Sequence, residues 1–547
     1  MMMSTQMLAI VNSKVVTLDG QDTIAEAIAI KDGKIYAIGS NDKIKSVVMK
    51  DKNTRVLDAK GNVVLPGLIE THGHLVVNAE FERCVDAGSP PNKSIADVVA
   101  NVTKYAKITP KGEWIVGKGY DPTRLSDKKL IDRFDLDKAT TNHPVAIQPF
   151  SGPMVFVNSE ALNRAGIARE TPDPPGSEIM RTLGSGGEPN GVLRGYSAMG
   201  MVFQLIPSVD WDGLKVGLGK AQDKYLRQGI TSFHEPKLAR FILVTGHDAL
   251  KIYQRGVREG FLKLRVNMMI HDKTLKDLKF ALETGLGNER IRVGGVSYIE
   301  DGAHIYLNAA ALSEPYLNKP TEKGYLAEPL LNDLTAEMQR QGYQILIHAM
   351  GDRGISTTLD ALENAQKLYP RQNTRHRIEH ALMAQPEHLQ RMKIMGIMPN
   401  FSVQQIDFFG DRFLDTFLGP ERAYKLAPIA TALSVGLKPL MHSEAGTPSP
   451  LLCVQCAVSR RTNSGHVLGE DEKISVKDAL KMVTINAAYA SFEENLKGTL
   501  EINKLGDVTI LEQDPFHFLP EKIGQIPVAA TIIGGEIAYH TNAISLS

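Results

Sequence analysis

Two histidines, His72 and His74, close the segment 65–74 and are separated by a single glycine. Alternate side chains of an extended strand point the same way, so both imidazoles would leave the chain on one side. At that spacing both rings can reach one divalent metal ion at about 2.0–2.1 Å. Two solvated histidines in a turn would show the same spacing, so the pair alone leaves both interpretations open.

Later side chains also stand at the ends of short apolar runs: His348, His380, His442 and Glu444. The C-terminal ends of parallel barrel strands meet on one face, and that face carries the active site. Three or four neutral imidazoles with one carboxylate suit Zn²⁺ or a similar ion, which makes bound water nucleophilic near neutral pH. We therefore predict a hydrolytic metal site, with Glu444 as the general base that passes a proton to a leaving amine.

The elements that must position these residues alternate between apolar strands and amphipathic helices. Helices are predicted over 354–368 and 386–395, for example. Such alternation predicts a parallel sheet, and eight strands predict a closed (β/α)8 barrel of the TIM type. The predicted strands cover residues 63–69, 230–233, 262–270, 292–299, 343–347, 376–378, 397–401 and 438–441.

Both ends of the chain consist of short β-rich runs separated by turns. We predict that residues 1–65 and 485–547 form one small β-sandwich domain, and that 66–484 form the barrel domain. The connection between the first two predicted strands is far longer than a βα connection needs. We therefore predict an insertion over 78–225 that caps the barrel and shapes a substrate pocket.

The composition excludes several functional classes. Among 547 residues, 62 are basic and 62 acidic, which gives no indication of a nucleic-acid or membrane partner. No membrane span or signal peptide is indicated, and the three cysteines fit a reducing compartment. We expect a soluble cytoplasmic protein that acts on a small molecule, with homo-oligomerisation left open. The pair Cys453 and Cys456 is interpreted as part of a buried helix face.

Several motifs spread over nearly the whole chain resemble those of the amidohydrolase superfamily, in the branch that includes N-substituted formamide deformylases. They are Pro66-Gly-Leu-Ile-Glu-Thr-His-Gly-His74, Asn158-Ser-Glu-Ala-Leu162, Gly229-Ile-Thr-Ser232, Asp301-Gly302, His348-Ala-Met-Gly-Asp-Arg353, Arg375-His-Arg-Ile-Glu-His380 and Gly498-Thr-Leu-Glu-Ile-Asn-Lys-Leu-Gly-Asp507. The resemblance implies a metal-bearing (β/α)8 barrel beside a β-sandwich. It also implies that the metal ligands are His72, His74, His348 and His380, together with the strand-eight acid, here Glu444.

The chain departs from this family pattern at two positions that would take part in the chemistry. Glu444 stands where the family usually has aspartate, which moves the carboxylate roughly 1 Å further out. Ser297 stands where many relatives carry a lysine that bridges two metals once it is carboxylated, and serine cannot do so. We therefore expect one metal ion, with a second ion bridged by Glu235 or Glu300 as the alternative.

The predicted reaction is metal-dependent hydrolysis of the C–N bond of an N-acyl or N-formyl amine. Arg353 or His380 would stabilise the tetrahedral intermediate. Carbamate, ester or lactone hydrolysis on the same site is an alternative, and a catalytically impaired binding or regulatory module is an alternative of another class. Residues expected to line an apolar, less anionic substrate pocket are Phe150, Met154, Tyr306 and Phe401.

Overall fold

The structure is a computed structural model that describes most of the chain. The described residues are 7–48, 54–89, 91–122, 124–149, 154–175, 177–182, 187–207, 211–238, 246–271, 281–302, 304–443 and 448–546. The chain divides into two compact units, one drawn from residues 1–75, 222–239 and 246–547, the other from 76–221 and 240–245. Each unit is described by itself below.

The first unit contains two sheets that combine strands from both ends of the chain. One sheet has five strands: Met7–Val11, Ala27–Lys31, Lys34–Gly39, Thr54–Asp58 and Ser545–Leu546. The other has six: Lys14–Val16, Ile24–Ala25, Val63–Pro66, Val508–Leu511, Val528–Ile533 and Glu536–His540. Apolar side chains of both sheets meet in one buried cluster, which includes Ile10, Ile28, Val64 and Ile510. Helix Asn41–Val48 packs on the first sheet.

Eight parallel strands of the same unit form the predicted barrel, and they pair in sequence order. They are β1 (Leu68–Glu70), β2 (Ile230–Leu238), β3 (Arg265–His271), β4 (Ile291–Ile299), β5 (Ile345–Ala349), β6 (Arg377–His380), β7 (Met398–Phe401) and β8 (Leu440–Met441). Side chains connect the first strand to the last, since Thr71 Oγ1 donates to Met441 O at 2.9 Å. Glu70 likewise accepts hydrogen bonds from the backbone and hydroxyl of Ser443.

Helices follow most barrel strands, as the alternating pattern predicts. Helix Pro386–Met395 matches its prediction at both ends, because Pro386 suits the first helical turn and Gly396 adopts the left-handed conformation that ends it (φ 67°). The other helices after barrel strands are Gly246–Arg258, Leu331–Arg340, Asp352–Leu368, Gln405–Arg412, Pro420–Ala423, Ile429–Ser434, Pro450–Ser459, Val476–Met482 and Ile485–Ala490. Short 3-10 turns cover Ile305–Leu307, Glu470–Glu472 and Pro520–Gln525, and a π-helical turn covers Phe413–Phe417.

The predicted first strand, 63–69, is in fact two strands. Val63–Pro66 pairs with Val508–Leu511 in the terminal sheet, and β1 begins after Gly67 and pairs with β2. A side chain at Gly67 would collide with Thr231, so glycine permits the close approach at this break. The apolar run therefore leaves one sheet and enters the next without a loop.

The second unit has a mixed six-stranded sheet of its own. Its strands are Val85–Asp86, Ile115–Tyr120, Val145–Pro149, Met154–Val157, Glu178–Arg181 and Pro189–Arg194. The helices in this part of the chain are Leu75–Phe81, Ile95–Ala106, Arg133–Asp137, Ser159–Arg164, Tyr196–Phe203 and Trp211–Arg227. Buried clusters on both faces of the sheet show that this part of the chain has its own core. Its predicted capping role stays a prediction.

Two smaller expectations concern the cysteines and the membrane. Cys453 and Cys456 are buried, reduced residues of helix Pro450–Ser459, which confirms the helix-face interpretation. Across the ranges given above, the structure contains no helix of the length and apolar character that a bilayer crossing requires.

Candidate metal centre

Three buried histidines at the ends of different strands converge at one point of the barrel. His72, His348 and His380 each offer a ligand atom, and these atoms all lie within 4.8 Å of one another. The ring centres are 4.9 Å apart for His72 and His348, and 5.0 Å apart for His72 and His380. Residues separated by more than 300 positions in the chain therefore share one small space, as a metal site requires.

Each of these rings is placed by the end of a barrel strand. His72 follows β1 by two residues, His348 belongs to β5, and His380 is the last residue of β6. The backbone of His380 is left-handed (φ 71°), and Ala381 after it is too (φ 45°). A non-glycine residue is held in this region only where surrounding contacts fix it, so the turn at the end of β6 is a constrained feature of the site.

A buried carboxylate orients His72. Glu379 Oε2 lies 2.7 Å from Nδ1 of His72, and both side chains are fully buried. The neutral ring therefore donates through Nδ1, which leaves its Nε2 as a lone-pair nitrogen. Nε2 of His72 is buried and has no hydrogen-bond partner among the described residues. This pairing of carboxylate and histidine is the usual support of a metal-binding imidazole.

Arg377 in turn holds Glu379. Its Nε donates to Glu379 Oε1 at 2.8 Å, and Nη2 donates to Glu379 Oε2 at 3.0 Å and to Thr71 O at 2.8 Å. Asn400 Nδ2 donates to the same carboxylate at 2.7 Å. The Glu379 carboxylate beside His72 is thus held by the charge of Arg377 and by three hydrogen bonds. These contacts replace the water that burial removes.

His74 has a carboxylate partner of its own. Glu235 Oε1 lies 3.2 Å from Nδ1 of His74, and the Tyr253 hydroxyl donates to Glu235 Oε2 at 2.7 Å. The His74 ring centre is 5.4 Å from that of His72. Glu235 therefore has contacts that suit orientation of His74, and its predicted alternative role as a metal bridge has no support from them.

A fifth imidazole, His442, lies against the trio. Its ring stacks on His72 with centres 4.6 Å apart, and its centre is 5.1 Å from that of His380. Ser402 Oγ connects it to the trio, at 3.0 Å from Nε2 of His442 and 2.7 Å from Nδ1 of His380. Like His72, it is buried almost completely.

Burial keeps three of these rings, those of His72, His380 and His442, neutral. Loss of hydration lowers the pKa of His380 to about 4, and it holds the pKa values of His72 and His442 well below the ordinary 6.5. For His72, desolvation lowers the pKa most, and the neighbouring imidazoles and the Arg377 guanidinium lower the pKa further. Neutral imidazole is the form that binds a metal ion, so the site offers ligands without first losing protons.

Two predicted site residues, Glu444 and Phe150, lie outside the described residues. Arg353, a predicted stabiliser of the intermediate, is engaged elsewhere. Its Nε donates to Leu312 O at 3.1 Å, and Nη2 donates to the carbonyls of Lys323 and Gly324 at 3.2 Å each. These hydrogen bonds hold the loop after β4 in place. Stabilisation of the tetrahedral intermediate by Arg353 would therefore have to use the remaining nitrogen, Nη1.

The other predicted pocket residues differ in their surroundings. Phe401 is fully buried at the end of β7. Tyr306 lies in the loop after β4 and stacks on Phe409, with ring centres 4.3 Å apart. Met154 belongs to the sheet of the second unit, where it packs against that unit's core. Their contact with a substrate stays a prediction.

Glu300, the other alternative metal bridge, is the residue directly after β4. Its backbone N–H donates to His348 O at 3.0 Å. Its carboxylate accepts a hydrogen bond from the backbone of Glu328, and burial raises its pKa to about 8. Ser297 stands two residues before Ile299, on the same side of the strand as His348. The expectation of a single metal ion, and the alternative of a second ion bridged by Glu235 or Glu300, both stay predictions.

Three residues that support the ligands are absent from the site predicted from the sequence. Glu379, Arg377 and Ser402 are buried polar side chains inside or directly after strands, where apolar residues are the rule. Arg377 and Glu379 form a charged pair two residues apart at the end of a predicted buried strand, and this pair is the sequence signal that could have identified these two residues. The fold of the barrel decides which histidine each supporting residue contacts, and the sequence carries no signal for that pairing.

Comparisons with known proteins find relatives that match nearly the whole chain. The model of the family described as "Amidohydrolase family" matches residues 55–539. An N-substituted formamide deformylase of Arthrobacter pascens is 28% identical, covering 98% of this chain and 99% of its own. The putative amidohydrolase YtcJ of Bacillus subtilis (strain 168) is 27% identical, covering 94% of this chain and 96% of its own.

A solved structure supports the fold. An uncharacterized metal-dependent hydrolase from Pyrococcus horikoshii OT3 superposes with a TM-score of 0.76 at 22% identity. The match covers 94% of this chain and 99% of that one.

Proposed function

Because the chain belongs to the amidohydrolase family, a family of metal-dependent hydrolases, we propose that it hydrolyses the C–N bond of an N-acyl or N-formyl amine. The buried trio His72, His348 and His380 is the observation that carries the metal-dependent part. The similarity to a formamide deformylase over nearly the whole length supports the choice of an amide-like substrate.

The donor set of the trio fits zinc. All three groups are imidazoles, and a borderline ion such as Zn²⁺ prefers nitrogen ligands of this kind. The buried Nε2 of His72, fixed as a lone-pair nitrogen by Glu379, is the clearest sign of an absent electrophile. A divalent cation bound there supplies Lewis acidity that polarises a carbonyl group and activates water.

The residues of the chain then have separate tasks. His72, His348 and His380 would hold the cation, with His74 and Glu444 as further ligands. Glu379 and Glu235 would keep His72 and His74 in the tautomer that leaves Nε2 open. We propose that Glu444, the residue after Ser443 in the sequence, accepts a proton from water at its carboxylate and delivers it to the nitrogen of the leaving amine.

The test combines metal analysis with a substrate panel. Purified full-length protein supplied with zinc should carry about one ion per chain, and chelation should abolish turnover. A panel with one shared amine, presented as N-formyl, N-acyl and carbamate derivatives beside matched esters and lactones, should show turnover of the amides. Glu444→Gln should keep the metal and lose at least about 10²-fold in turnover.

Each failure has its own meaning. Zinc-loaded protein that turns over only esters or lactones would contradict the C–N assignment and leave the metal site in place. Protein that binds no zinc when zinc is supplied would contradict the hydrolase proposal and favour a binding module. Unchanged turnover by Glu444→Gln would place the general base elsewhere.

A further inference from the structure

A single serine hydroxyl lies between two of the clustered histidines. Ser402 Oγ is 2.7 Å from Nδ1 of His380 and 3.0 Å from Nε2 of His442. All three residues are almost completely buried. A hydroxyl has one hydrogen to donate, so these two contacts constrain the protons on both rings.

The Ser402 hydroxyl leaves two possible patterns of donors and acceptors. If both rings donated to Ser402, the hydroxyl hydrogen would have no acceptor among the described contacts of Ser402, which is costly in a buried place. Ser402 therefore accepts from one ring and donates to the other. The tautomer of His380 then determines the tautomer of His442.

The position of His380 in the trio decides the direction. Its Nε2 lies 3.3 Å from Nδ1 of His348, so Nε2 is the nitrogen on the side of the other candidate ligand. A nitrogen that binds a cation carries no proton, so the neutral His380 ring would carry its proton on Nδ1 and donate it to Ser402. Ser402 would then donate to Nε2 of His442, which places the His442 proton on Nδ1.

We propose that Ser402 is a positioning residue that transmits the tautomer of His380 to His442, so that His442 presents an Nδ1–H donor beside the metal centre. This rests on the proposed function, since it requires a cation at His380. Nδ1 of His442 is buried and has no hydrogen-bond partner among the residues described. A buried donor of this kind suits an oxygen atom of a bound substrate, such as a carbonyl oxygen. In this arrangement His442 is a donor and cannot serve as the general base.

The tautomers can be measured directly in the full chain labelled with ¹⁵N-histidine. Long-range ¹H–¹⁵N spectra of zinc-loaded protein should show His442 protonated at Nδ1 and unprotonated at Nε2. The His442 signals are identified by their loss in His442→Gln. Ser402→Ala should leave His442 as a mixture of tautomers and weaken zinc binding about 10–100-fold, because His380 loses its supporting contact.

The chain offers a matched control in a second serine and histidine pair. Ser356 Oγ lies 3.0 Å from Nε2 of His388, between helices Asp352–Leu368 and Pro386–Met395. Ser356→Ala removes an equivalent contact, and it should change neither the His442 signals nor the zinc affinity.

Wild-type zinc-loaded protein with His442 protonated at Nε2 would overturn the proposal, even if Ser402→Ala did not fold. Unchanged tautomer and zinc affinity in a folded Ser402→Ala protein would overturn it as well. Wild-type protein that bound no zinc would overturn both this inference and the proposed function, whereas zinc binding with the wrong tautomer would overturn this inference alone.

Discussion

The carboxylate of Glu379 offers the sharpest test of how the metal centre is built. Glu379→Gln keeps the size of the side chain and removes its charge. An amide has one acceptor oxygen, whereas Glu379 accepts hydrogen bonds from His72, Arg377 and Asn400. If the amide nitrogen faced His72, the ring would have to accept at Nδ1 and carry its proton on Nε2, the nitrogen meant for the metal.

The size of the effect follows from two separate losses. Removing the carboxylate partner of a metal-binding histidine costs about 10–100-fold in metal affinity, or about 1.4–2.8 kcal/mol. Breaking a fully buried ion pair costs about 3–5 kcal/mol of folding stability, because Arg377 keeps its charge. A domain has about 5–15 kcal/mol in total, so the variant should fold with a lower midpoint.

The assay is zinc affinity by chelator competition, together with urea unfolding of the same metal-free protein. Arg265 and Asp507 provide the control, since Nε and Nη2 of Arg265 donate to the two carboxylate oxygens of Asp507 at 2.7 and 2.9 Å in a pair that is also buried. Asp507→Asn should lose stability to a similar degree and keep wild-type zinc affinity.

A folded Glu379→Gln protein with wild-type zinc affinity would refute the reasoning, because His72 would then need no carboxylate partner. Equal loss of zinc affinity in Asp507→Asn would also refute it, since the loss would then come from general destabilisation.

Two further predictions concern stability. Burial lowers the pKa of His376 to about 3 and that of His380 to about 4. Below pH 6.5 the unfolded chain therefore takes up protons that the native state does not. The free energy of unfolding of metal-free protein should fall as the pH drops from 6.5 toward 4, by up to about 1.4 kcal/mol per pH unit for each group. Urea unfolding at pH 7.5 and 5.5 measures this, and His376→Gln should reduce the difference; equal stability at both pH values would contradict it. Gly67→Ala should destabilise the protein by about 1–3 kcal/mol, because the new methyl group would collide with Thr231. Gly20→Ala is the control and should change stability little, because its methyl group would meet no atom within 4 Å. Similar unfolding midpoints for both variants would contradict the packing argument.

The sequence by itself determined the architecture of the barrel and the identity of the histidines that meet in it. Each barrel strand is a short apolar run, and strands of this kind that alternate with helices admit few arrangements. Because His348 and His380 stand at the ends of such runs, their positions in the chain are enough to place them on one face of the barrel. The split of residues 63–69 at Gly67 was missed, because an apolar run has the same pattern whether it lies in one sheet or in two.

Only the tertiary structure decided which groups support the ligands. Glu379 lies beside His72 across 307 positions of sequence, and Glu235 lies beside His74 across 161. Such distant pairs have no local pattern, because their contact is created by closure of the barrel. The proton pattern through Ser402 depends on distances of a few tenths of an ångström, and composition and spacing contain no information at that scale.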